Sequence, residues 1–119
     1  MNKELKSCLL RIASNDVTVL EIAEKSYGDS WKKRGGVGAY MMLARKWDRL
    51  ENQTKEHAYD IFVTALNDKR EEGIIDDIRD LRRYLMLVES EILMSEGKTN
   101  EEDPEANIFR EERDEWKTG

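Results

Sequence analysis

Apolar residues recur along this chain mainly at three- and four-residue intervals, the repeat of an α-helix with one face turned inward. Leu5, Cys8, Leu9 and Ile12 stand at i, i+3, i+4 and i+7 and predict an amphipathic helix over residues 3–13. Val17, Leu20 and Ala23, with Ile22, continue an apolar stripe. Ser14-Asn15-Asp16 between them offers N-cap residues, so one bent helix and two separate helices both fit the pattern. Gly28 is a helix stop, Asp29-Ser30 can cap the next element, and KKRGG at 32–36 reads as loop. A helix is predicted from Val37 to Asn52, with Tyr40, Leu43, Ala44, Trp47 and Leu50 on one face. Arg45, Lys46, Asp48 and Arg49 lie largely on another. Trp47 is expected in the core.

Residues 55–71 have a weaker helical pattern in Tyr59, Phe62, Ala65 and Leu66. The clearest segment is Ile74, Ile78, Leu81, Leu85, Val88 and Ile92, whose alternating steps of four and three form the seam of a helix packed on other helices. After Gly97 the pattern fails. TNEEDPEAN is a linker composition, and IFREERDEW fits a short helix or an arm anchored by Ile108, Phe109 and Trp116. The expectation is an all-α protein, a small helical bundle of four to five helices over residues 1–96, followed by an acidic tail over 97–119.

Charge sharpens this division. From Glu96 onward there are nine acids and four bases, so the tail supplies most of the net charge of −6 and leaves the body nearly neutral. A nearly neutral body with one local basic cluster suits a small phosphate ligand better than extended duplex DNA. The lone Cys8 excludes a disulfide framework, and its place on the first apolar stripe reads as a buried small hydrophobe. No apolar run approaches the roughly 20 residues of a membrane span, and MNKELKSC lacks a signal-peptide core. A cytoplasmic setting is expected.

Two carboxylate pairs stand at helix-face spacing: Glu21 with Glu24, and Asp77 with Asp80. Brought together, they would offer the oxygen ligands that Mg²⁺ takes beside waters and phosphates, and a metal so held would activate water for phosphate hydrolysis. Acids at this spacing also simply solvate a helix face. The basic cluster comprises Lys32, Lys33 and Arg34 in the loop and Arg45, Lys46 and Arg49 on the next helix. Arg45 and Arg49 form an i, i+4 fork suited to phosphate oxygens, and the glycines allow close backbone approach. A flexible connection beside ion pairs such as Arg45 with Asp48, or Asp29 with Arg34, explains the same residues equally well. Trp31 is the better base-stacking candidate beside that loop, with Tyr27 next to it. His57 has no zinc or triad partner, which disfavours nucleophilic or zinc chemistry.

The run Lys25-Ser26-Tyr27-Gly28-Asp29-Ser30-Trp31, the segment Arg45-Lys46-Trp47-Asp48-Arg49-Leu50 and the acidic helix Asp76-Asp77-Ile78-Arg79-Asp80-Leu81-Arg82-Arg83-Tyr84 together resemble the nucleotide modification associated domain family, over residues 17–93. Its members are small, mostly phage and prophage proteins with a K-x-Y-G-x-S/A-W signature and a later acidic helix. That family is similar to the all-α nucleotide pyrophosphohydrolases typified by MazG, which hold Mg²⁺ with E-x-x-E and E-x-x-D pairs and assemble as dimers or tetramers. The resemblance implies Glu21, Glu24, Asp77 and Asp80 as metal ligands and Glu24, Asp77 and Asp80 as catalytic groups. Beside them, Tyr27, Trp31, Lys32, Arg34, Arg45, Lys46 and Arg49, read from their charge and aromatic character, form the candidate nucleotide wall. The second pair begins with Asp where those enzymes have Glu, and a glycine loop and a whole helix separate the pairs. Binding with hydrolysis of a nucleoside triphosphate is therefore one expectation. Its alternatives are a non-enzymatic phage counter-defence protein that sequesters a nucleotide-derived signal, and one that binds and inhibits a host protein. Surplus apolar positions, Met41, Met42, Met86 and Leu87, add the expectation of a homo-oligomer.

Overall fold

The computed structural model of the chain describes residues 1–71 and 73–96. Among these the regular structure is four α-helices and one 3-10 turn: α1 (Lys3–Tyr27), the turn at Ser30–Lys32, α2 (Gly35–Lys55), α3 (Ile61–Asn67) and α4 (Gly73–Glu96). The all-α expectation holds, with no strand among the described residues. The readings of 97–119, including Ile108, Phe109 and Trp116, lie outside the described residues. The chain divides into two units, Met1–Met86 and Leu87–Gly119, so α4 begins in the first and continues into the second.

Local chemistry explains the helix ends. Asn2 caps α1, its Oδ1 accepting from the Leu5 amide at 2.7 Å. At the other end the Gly28 N–H donates to the Glu24 carbonyl at 2.8 Å, and its φ of 59° favours glycine. Between these ends α1 is one continuous helix, which settles the choice left open at Ser14-Asn15-Asp16. None of those three residues is Gly or Pro, and Asp16 is not a cap: its carboxylate is spent on α4. The loop reading of 32–36 gives way from Gly35 onward, where α2 starts two residues earlier than Val37. Gly38 must be glycine there, because a Cβ would lie 2.7 Å from the Arg34 Cβ folded over the first turn of α2.

The weakly patterned segment 55–71 is helical only at Lys55, the end of α2, and over α3. The chain leaves α2 through Ala58 and Tyr59, both in the left-handed region with φ of 53° and 63°. It re-enters a helix at Asp60, whose Oδ1 accepts from the Phe62 and Val63 amides at 3.0 Å each. Two non-glycine residues at positive φ cannot belong to a helix, which is why a continuous pattern there fails.

The interior of the first unit is unusually polar. Among the described residues Ala39, Leu50 and Ile74 are the buried apolar side chains, against Asp16, Thr54, Thr64 and Asp77 as buried polar ones. The two threonines are satisfied within their helices, Thr54 Oγ1 donating to the Leu50 carbonyl at 2.9 Å and Thr64 Oγ1 to that of Asp60 at 2.7 Å. Asp16 is 1% exposed and receives three guanidinium hydrogen bonds: Arg82 Nε at 2.6 Å, Arg82 Nη2 at 2.7 Å and Arg83 Nε at 2.9 Å. This clamp ties the middle of α1 to the middle of α4. Trp47, expected in the core, is instead 57% exposed. The contacts of α2 with α4 that position it run instead through charged side chains, Lys46 with Asp80 and Arg49 with Asp77.

Asp16→Asn removes the charge that two arginines share in a buried position, and a broken buried pair costs about 3–5 kcal/mol. Arg82 retains some solvent access, so the expected loss is about 2–4 kcal/mol, read as a lower urea midpoint at unchanged slope. Ala58→Gly has the opposite sign. Relief of a left-handed alanine outweighs the extra flexibility of glycine in the unfolded chain, and the expected gain is about 0.5–1 kcal/mol. Ala39→Gly, inside α2, is the control and is expected to lose at least about 1 kcal/mol.

Candidate functional site

Two groups of the carboxylates picked out by spacing separate in space according to the helix that carries them. Glu21 and Glu24 lie exposed on α1 and line a shallow recess together with Lys25. Asp77 and Asp80 lie on α4 toward α2, where each is engaged by a base. Asp77, 3% exposed, accepts from Arg70 Nη2 at 3.0 Å and pairs with Arg49 Nε at 3.4 Å. Asp80 pairs with Lys46 Nζ at 3.4 Å. Among the described residues no group of three or more His, Cys, Asp or Glu side chains comes together that could hold a metal ion. In this arrangement the α4 carboxylates are each paired with arginine or lysine.

The basic residues are arranged differently. Met42, Arg45, Lys46, Asp48 and Arg49 line a recess of about 240 Å³ along α2. The i, i+3 and i+4 spacing of one helix puts their head groups on a single face. Lys46 and Arg49 are paired with the α4 acids, whereas Arg45 makes no ion pair among the described residues. Tyr84 of α4 neighbours Lys46: the Lys46 ammonium stands 5.7 Å from its ring centroid, and burial, helped by nearby Asp80, pushes the phenol above its ordinary value. The recess therefore has a positive floor, one acid at its edge in Asp48 and an aromatic neighbour.

The loop residues occupy another level. Trp31 and Lys32 are half-buried in the 3-10 turn, Lys32 within 3.9 Å of Asp29, and Arg34 lies over the first turn of α2 at Gly38. Gly38 and Arg45 are seven residues apart, a rise of roughly 10 Å along a helix. Tyr27 is exposed at the end of α1. The expected wall thus divides into a loop part (Tyr27, Trp31, Lys32, Arg34) and an α2 part (Arg45, Lys46, Arg49).

Sequence reasoning passed over the residues that hold the α2 part in place. Asp68 is a hub: Arg70 donates to it from its backbone N–H at 3.0 Å, from Nε at 3.1 Å and from Nη2 at 2.8 Å. The same Arg70 then reaches Asp77, which turns Asp68–Arg70–Asp77–Arg49 into an alternating chain from the α3–α4 connection to the recess. The Arg70 side chain and backbone hold the Asp68 carboxyl at about 2, well below the usual carboxylate range. Hydrogen bonds from Arg82, opposed by burial and reinforced by Arg83, lower Asp16 as well. One signal for Asp16 existed: it is four residues from both Ile12 and Leu20, a charge in the middle of an apolar stripe. Arg70 had no such signal, since its role depends on a turn.

Compared with protein-family models, curated proteins and solved structures, the chain gives no match. No helix among the described residues is long and apolar enough to cross a membrane.

Both lowered carboxyls have a folded-state value beneath the unfolded one of about 3.9, so their contribution is complete above that value and disappears as pH falls through the folded value. Urea midpoints are expected to hold steady from neutral pH down to about 5 and then fall steeply between about pH 4 and 2. In an Asp16→Asn/Asp68→Asn variant the plateau is lower and this acid limb is flatter, because fewer groups gain protons on unfolding. An equally steep limb in the variant would mean that other carboxylates govern acid unfolding.

Proposed function

We propose that this protein binds a nucleotide, or a nucleotide-derived small molecule, through its phosphates at the Arg45–Lys46–Arg49 face of α2. The observation that carries the reading is the recess on that face, with Arg45 free of any acidic partner among the described residues. A guanidinium that is unpaired and beside two further cations is the group a phosphate would engage first, by charge-assisted and bidentate hydrogen bonding. Lys46 and Arg49 then have a choice of anions. Their contacts to Asp80 and Asp77 are 3.4 Å, longer than an ideal charged hydrogen bond, and a phosphate would compete for them at little cost. Asp77 stays neutralised in that exchange because Arg70 holds its other oxygen at 3.0 Å. The acids of α4 thus act as placeholders that keep the cations ordered until a ligand arrives, which lowers the entropy cost of binding.

The resemblance to nucleotide-handling phage proteins supports the same class of ligand. Binding needs only the α2 face, whereas hydrolysis with Mg²⁺ would further require the α1 and α4 carboxylates to converge. The loop residues Trp31, Lys32 and Arg34 stand one level along α2 and would suit the base or sugar end of an extended nucleotide.

A thermal-melting screen of nucleoside mono-, di- and triphosphates, with and without Mg²⁺, tests this reading. A ligand at 100 times its dissociation constant is expected to add about 2.7 kcal/mol to the stability of the folded chain. Arg45→Ala is expected to weaken that ligand about tenfold or more, in keeping with the roughly 1.5–3 kcal/mol of a hydrogen bond to a charged group, and to leave the melting temperature of the free protein unchanged. Stabilisation that survives Arg45→Ala and Lys46→Ala would remove this face from the site. Stabilisation that depends wholly on Mg²⁺ and on Glu21 would shift the reading back to the carboxylates.

A further inference from the structure

The two α4 acids that face the α2 cations differ in what they lose when those cations turn away. The Asp80 side chain is 42% exposed, so water replaces Lys46 beside it. The Asp77 side chain is 3% exposed, and water has no such access when Arg49 leaves. A buried carboxylate stripped of its partner is costly, and that cost would hold Arg49 where it is. A second cation is already in place. Arg70, in the connection before α4, donates from Nη2 to the other Asp77 oxygen at 3.0 Å. Its own position does not depend on Arg49, since Asp68 accepts from its backbone N–H at 3.0 Å, from Nε at 3.1 Å and from Nη2 at 2.8 Å.

We infer that Arg70 is a positioning residue for anion binding: by holding Asp77 it releases Arg49 to the recess, which other residues line. This role rests on the phosphate reading of the α2 face and adds to it a determinant in the α3–α4 connection. Without Arg70, an anion would engage Arg45 and Lys46 while Arg49 stayed with its buried partner. A plain through-space attraction between Arg70 and the anion predicts something different. Such a charge adds the same increment whatever stands at position 77, whereas a charge acting through Asp77 loses its effect once that carboxylate is neutral.

Isothermal titration of the full chain with pyrophosphate separates the two. Arg70→Gln is expected to weaken binding about fivefold or more. Asp77→Asn is expected to bind at least as tightly as the unaltered chain, because Arg49 then leaves no buried charge behind. In Arg70→Gln/Asp77→Asn the loss is expected to vanish, with affinity within about twofold of Asp77→Asn alone. Arg70→Lys keeps one cation against Asp77 and is expected to stay within about threefold of the unaltered chain. The Asp77→Asn and Arg70→Lys arms stand whether or not Arg70→Gln folds, which its melting curve shows. An equal loss from Arg70→Gln with and without Asp77→Asn, no loss in either, or weaker binding by Asp77→Asn would overturn the role of Arg70 and leave the phosphate reading in place. No binding of pyrophosphate by the unaltered chain would overturn both.

Discussion

The architecture of the first unit depends on carboxylates that are buried and shared between arginines. Asp16 sits at the centre of the inward face of α1, and nothing apolar replaces it there. Removing a carboxylate from water is costly, and attraction repays the cost only with good geometry and full hydrogen bonding. Two guanidinium groups from consecutive positions of α4 provide both, with all three contacts under 3.0 Å. A clamp of this kind fixes where α4 crosses α1 more narrowly than an apolar contact would, because sliding by one residue would leave a buried charge unpaired. Few apolar side chains are fully buried in this unit, so the helices are positioned by specific charges to an unusual degree.

A second clamp does for α2 what the first does for α1. Asp77 holds Arg49 of α2 on one oxygen and Arg70 on the other, and Asp68 secures Arg70 from behind. The proposed function rests on that geometry. Neighbouring cations on one helix repel, and acids on the adjacent helix keep them ordered. Where the acids run out, at Arg45, an uncompensated positive group faces a recess. The same electrostatics that aligns α2 and α4 therefore leaves a place for an anion. It also accounts for the separation of the two carboxylate pairs: Asp77 and Asp80 are occupied in holding α2, and Glu21 and Glu24 remain on the solvent side of α1.

Periodicity made α2 and α4 legible almost to their ends, because long amphipathic helices repeat their signal many times. The N-terminal pattern was legible as helix, but not as one helix, since a cap-like Ser-Asn-Asp triplet and a buried ion-pair acid look alike without their partner. Asp16 shows the limit clearly. Its spacing from Ile12 and Leu20 marked it, yet only the placement of Arg82 and Arg83 on another helix explains it. Trp47 misled for a related reason: large aromatics are expected inside, but α2 is tied to α4 through Lys46 and Arg49, and Trp47 stays exposed. The short α3 was obscured because two left-handed residues and an aspartate cap break a pattern that composition alone cannot break. Of the site, the basic fork could be read directly from i, i+4 spacing. Its supporting chain through Asp68 and Arg70 could not, as it passes through a turn.

The central claim is that phosphate binds where the clamp leaves Arg45 unpaired. Amide and guanidinium chemical-shift mapping by NMR during titration with pyrophosphate, and then with a nucleoside triphosphate, addresses it residue by residue. The predicted result is saturable shifts confined to Met42–Arg49 and to the α4 residues Asp77–Tyr84 whose acids pair with them, present without added metal. Shifts centred on Glu21 and Glu24, or none at either anion, would contradict it.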